Sequence, residues 1–290
     1  MADQVGMADL RGLNIDKAVT GFALVEYVFK QICSVVSTSS WQEKYFQETA
    51  ADLTGGSGSS IQGIPRLSAF PHLEVSETQV NSYMLKHGGE GQLSWEDVNF
   101  NDIDMVKRTL VRVARAVVKS VDTNIWNVIT VNQTGVGENT VTIAAGNEWD
   151  STTESNQNPI KDILSAKQAI YEQNYNPDSN GYLILNPKDY KNLLANANIR
   201  NAGQFFTDEV TRNGNVGYLL GLKVLVSNNV TADYAAVVVG KEAATWKEAS
   251  ALKTVTVEDP AVGYKIRSWE TGVCQLRNPK AVCLIINTAA

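Results

Sequence analysis

The chain has 290 residues, 43% hydrophobic and 19% charged, with a formal net charge of −6. That length supports one large domain or a few intimate ones with a buried core. Its 7 prolines and 21 glycines exclude a collagen-like or wholly disordered chain. Mild acidity disfavours a protein dedicated to neutralising phosphates. The three cysteines, Cys33, Cys274 and Cys283, have no metal-ligand spacing and exclude a disulfide scaffold. The opening MADQVGMADL lacks the basic start and apolar run of a secretory signal. A soluble protein made in a cytoplasm is the expectation.

In chain order, residues 1–17 read as a polar arm. Phe22, Val25, Phe29, Ile32 and Val36 recur every three or four positions and predict a helix over 18–37. WQEKYFQET at 41–49 reads as a strand, and GGSGSS at 55–60 as a loop tip. EVSETQVNSYMLK at 74–86 reads as a second strand. Two strands polar on both faces do not hold themselves up in water, so this extension needs another surface.

The strongest signal is residues 101–130, a helix that Asn101 or Asp102 can cap. Ile103, Val106, Leu110, Val113, Val117, Val121 and Ile125 form one stripe, and Arg108, Arg112, Arg115 and Lys119 a second, basic one. The basic stripe reads as a solvated face, or as a face pairing with acidic residues of another subunit. Nucleic-acid binding fits an acidic chain least well.

Residues 131–150 suggest a hairpin turning at Gly135-Val136-Gly137, and 158–174 a helix with Pro159 in its first turn. GYLILN is a short apolar strand. NPKDYKNLLANAN starts a helix capped by Asn186. LKVLVSNNV, AAVVVG, KTVTVED, YKIRSW, GVCQLR and AVCLIIN read as strands. The fold class is α+β.

Catalytic chemistry is missing. The only histidines, His72 and His87, lie in the extension, far from an evident nucleophile. GGSGSS lacks the Gly-Lys-Ser/Thr of a phosphate loop. Asp102 with Asp104, and Glu96 with Asp97, suit a helix start better than acid–base work. No catalytic, cofactor-binding or metal site is expected.

The ordered set resembles a tailed-phage major capsid protein of the Hong Kong 97 type, a family shared with tailed archaeal viruses. An arm and helix precede an extension ending in LSWEDVNFND; then come the long helix with AVVKSVDTNIWNVI, NPKDYKNLLA, LLGLKVLVSNNV with AAVVVGKEAATW, and YKIRSWETGVCQLRNPKAVCLIIN. The resemblance implies an N-terminal arm and first helix at 1–40 and an extended two-stranded loop at 41–96. It implies a peripheral domain with the spine helix at 97–155 and 241–290, and an axial domain at 156–240.

It also implies a shell subunit that self-assembles as pentamers and hexamers around double-stranded DNA, held without sequence-specific binding. Copies of itself, a portal protein and a separate scaffold or decoration protein would be its partners, with no membrane. It would be made in the host cytoplasm and end in the virion. A fused scaffold is not expected with some 17 residues ahead of the first helix. The inter-subunit contact candidates are Arg66, Lys86, Arg108, Arg112, Arg115 and Lys119.

Relatives that cross-link join a loop lysine to an asparagine, here Lys86 with Asn278 or Asn287. No carboxylate follows either asparagine in sequence, and no cross-link is expected. The competing readings are an encapsulin-like nanocompartment shell, a mixed α/β enzyme and a nucleic-acid-binding protein.

Overall fold

The computed structural model describes residues 27–48, 62–71, 77–96, 103–196, 199, 217–260 and 262–289. The GGSGSS tip, His72, the caps Asn101 and Asp102, and residues 1–26 lie outside them, and no side chain is described for 103–107. The described chain divides into two compact units. The first holds residues 27–43, 82–96, 103–126, 245–260 and 262–275; the second holds 44–48, 62–71, 77–81, 127–196, 199, 217–244 and 276–289.

The expected helix over 18–37 is not helical in its described part. Residues 27–33 are turns, and β1 (Ser34–Ser37) is a strand parallel to β10 (Ala244–Asp259). The Val28 and Phe29 N–H groups donate to the Asp122 carboxylate at 3.1 and 3.3 Å. Adjacent Val35 and Val36 favour extended backbone. Tertiary hydrogen bonds and β-branching together outweigh the apolar periodicity.

β1 edges a four-stranded sheet, completed by β10, β11 (Gly263–Leu276) and β4 (Leu85–Ser94) in the order β1-β10-β11-β4. β4 runs antiparallel to β11 from Gly263↔Ser94 to Gly272↔Leu85. The expected strand at 74–86 is thus split. β3 (Glu77–Tyr83) pairs with β2 (Gln42–Glu48) in a sheet of two, and residues from Leu85 onward join the four-stranded sheet. YKIRSW and GVCQLR are one continuous strand. Position 272 within it requires glycine, because a Cβ there would stand 2.5 Å from Cζ2 of buried Trp246.

α1 (Ile103–Ile129) is 27 residues long, a rod of about 40 Å. Leu110, Val113, Ala114, Val117, Val118, Val121 and Ile125 are buried, as the apolar stripe requires. Leu110 and Ala114 pack with Leu93 of β4 and Ile266 of β11. β4 approaches the helix closely: a Cβ on Gly91 would lie 2.6 Å from Thr109 Cγ2 and 2.9 Å from Val113 Cγ2.

The second unit is built on a six-stranded mixed sheet. Its strands are β5 (Asn139–Thr142), β12 (Val282–Ile286), β9 (Tyr234–Val239), β6 (Gly181–Leu185), β8 (Leu222–Val226) and β7 (Tyr218–Leu219), neighbours in that order. β6 is buried at every residue, and β9 and β12 at all but one, as expected for central strands covered on both faces. The expected hairpin at 131–150 does not form. The glycine turn leads into β5, which pairs parallel to β12.

α2 (Pro159–Tyr171) buries Ile163, Ala166 and Ile170. α3 (Pro177–Asn180) is a single turn. α4 (Pro187–Ala195) starts as expected, with Pro187 in its first turn and Asn186 Oδ1 accepting from the Lys188 N–H at 3.0 Å.

Candidate assembly surfaces

The features able to act on a partner are surface side chains. The β2–β3 sheet has two strands: Glu43, Tyr45 and Gln47 alternate as half-buried positions, with Gln47 Nε2 donating to Leu276 O at 3.3 Å, while Gln42, Lys44 and Phe46 between them are exposed. Trp41 beside it, Phe46 on β2 and Tyr83 on β3 are 66%, 59% and 57% exposed, and Leu67 and Phe70 of the irregular segment 62–71 are also exposed. Burying each ring would contribute about 1.5–3 kcal/mol. Such a ribbon is marginal alone and gains order by covering a second surface.

The root of this ribbon is fixed by polar bonds. Ser82 Oγ donates to Glu43 O at 3.1 Å and accepts from Gln275 Nε2 at 2.7 Å. The Met84 N–H donates to Trp41 O at 3.0 Å, and Lys247 pairs with Glu43 at 3.4 Å. The Thr38 hydrogen bond, with Lys247, lowers the Glu43 pKa.

Residues 27–33 are anchored by a buried polar cluster. Tyr27 Oη and Lys30 Nζ both donate to Glu270, which is fully buried. Lys30 Nζ also lies 5.4 Å from the Trp246 ring centre. Asp122 is buried in the apolar face of α1. Burial outweighs its two backbone hydrogen bonds and pushes its carboxyl up to about 6. His87 Nδ1 sits 2.8 Å from Ser120 Oγ, and burial lowers its pKa. Sequence reasoning missed this cluster. One signal was present: Asp122 interrupts the apolar stripe between Val121 and Ile125, where an acid needs a partner.

The six contact candidates are all exposed. Lys86 Nζ lies 5.5 Å from the Trp269 ring centre, a cation–π contact within its own unit. Arg66 lies in the irregular segment 62–71. Arg108, Arg112, Arg115 and Lys119 share the face of α1 opposite its buried stripe. The structure brings these four together but not with Arg66.

Asn287 does have a carboxylate neighbour, which the order of residues hid. Its Nδ2 donates to Glu148 Oε1 at 3.3 Å and to Ile143 O at 3.0 Å. Among the described residues, no group of three or more His, Cys, Asp or Glu side chains could hold a metal ion. No described helix is long and apolar enough to cross a membrane.

Comparison with solved structures identifies the fold. The capsid of cyanophage P-SCSP1u matches with a TM-score of 0.67 at 14% identity, over 90% of this chain and 88% of that one. Mycobacterium phage Che8 matches at 0.62 and 16% identity, over 87% and 86%. The virus-like particle from Pyrococcus furiosus matches at 0.62 and 11% identity, over 94% and 98%. No curated protein matches by sequence. The architecture is the α+β fold of Hong Kong 97-type capsids. A family model described as phage capsid protein matches residues 78–285, most of the chain. The chain therefore belongs to the phage capsid protein family.

Proposed function

We propose that this chain is the major subunit of a virion shell. It self-assembles as pentamers and hexamers into an icosahedral capsid enclosing double-stranded DNA. The observation that carries this reading is the β2–β3 ribbon, which presents Trp41, Phe46 and Tyr83 to solvent. Laid over a neighbouring copy, the exposed face of the ribbon gains a covering layer. Its ordering costs roughly 1–2 kcal/mol per residue of backbone entropy, which many repeated contacts around a closed ring offset. The role is structural, not enzymatic. A portal protein and a separate scaffold or decoration protein are the expected partners.

Negative-stain microscopy of the purified chain tests this reading. Uniform round particles are expected; a stable monomer with an ordered ribbon would overturn it. Arg66 and Lys86 are proposed to pair with acids of adjacent copies, so R66E and K86E should each alter particle size or yield. A second reading is an encapsulin-like compartment, favoured by the match over 98% of the virus-like particle's chain. The contents separate the two: a genome with a portal ring, or protein cargo on the inner wall.

A further inference from the structure

We infer that the outer face of α1 is a non-specific binding surface for the phosphate backbone of nucleic acid. The inference does not rest on the shell reading. Arg108, Arg112, Arg115 and Lys119 are exposed and stand four, three and four residues apart. They span about 16 Å of one helix face. From residue 108 to the helix end the only acid is Asp122, and it is 1% exposed and turned to the core. The solvent face of this stretch is therefore of one sign, in a chain whose net charge is −6.

A row of like charge on one helix face is complementary to an external line of anions. A duplex carries one charge per ~1.7 Å of axis, so roughly ten phosphates lie within the row's length.

A second copy is the other candidate for the face. It would need a matching row of carboxylates, and no described helix or strand exposes four in a line. The polyanion fits better. No base edge is read, because the row offers charge without a groove-entering element.

The test uses the full chain and a fluorescent DNA duplex of arbitrary sequence, titrated between about 50 and 200 mM salt. The unsubstituted protein should bind with a steep salt dependence. The variant R108Q/R112Q/R115Q/K119Q should bind far more weakly, its log–log salt slope reduced by roughly 3–4. R108K/R112K/R115K keeps the charge and should keep the slope. Microscopy of the same samples reads assembly separately. Duplex binding by the glutamine variant equal to the parent's would overturn the inference. So would glutamine-variant chains that still bind duplex but no longer form particles, which would make the row a contact between copies. If the parent forms no particles but its duplex binding depends on the four cations, the shell reading falls and this surface stands.

Discussion

Glu138 is 7% exposed, and neither of its carboxylate oxygens has a hydrogen-bond partner. Burial, only partly offset by Lys280, pushes its carboxyl up to about 8. The folded state thus holds a proton there that the unfolded chain releases near 4.5. Between those values the folded state binds more protons, so stability falls as pH rises from about 4.5 to about 8. The total is on the order of 5 kcal/mol at most. E138Q should flatten urea-unfolding stability across that window, and an unchanged pH slope would refute the account. Neighbouring Cys283 has its thiol pushed up to about 12, by burial first and Glu138 second, which leaves it unreactive near neutrality. D122N keeps the shape but one atom of the amide no longer accepts, so it should cost about 1–3 kcal/mol. Hydrogen exchange at Val28 and Phe29 should quicken first. Asp122 could be noticed in sequence as an acid on an apolar stripe. Glu138 could not, because its surroundings are assembled from residues 135–140 and 280–284, which only the sheet brings together.

Among elements, α1 was legible from its two stripes, α2 from Pro159 in its first turn and α4 from Asn186-Pro187, whereas the single turn α3 was not. What failed were elements decided by tertiary pairing. Ile32 and Phe29 are buried at helical spacing, yet their segment is held as a turn by a carboxylate 93 residues away. The 131–150 stretch has hairpin chemistry, but Asn139–Thr142 finds its neighbour in β12, parallel and near the far end of the chain. Local pattern does not report such partners. The close approach of β4 to α1 gives a direct test. G91A places a methyl within 2.6 Å of Thr109 Cγ2 and should destabilise by about 1–3 kcal/mol in thermal unfolding. Adding T109S, which removes that Cγ2 methyl, should recover part of the loss.

For the whole molecule, stability and assembly should separate. The triple variant W41A/F46A/Y83A removes side chains that are mostly exposed in the single chain, so its melting temperature should stay within a few degrees of the parent. Particle yield should collapse, because the same rings are the proposed inter-subunit contacts. A large drop in melting temperature with particles intact would invert this assignment. The ordered series of motifs was legible as a capsid pattern across the chain. The assembly surface was legible only as a ribbon lacking a core, since an interface needs a second body that one sequence does not contain.

The position of β12 has a consequence for biosynthesis. It lies between β5 and β9, yet a ribosome delivers it after every other strand of that sheet. Until residues 282–286 emerge, β5 and β9 each present a bare edge, and the second unit cannot close. A nascent chain that has not yet delivered residues 282–286 therefore lacks the strand that joins those two edges, and the sheet completes only after every other strand has been made.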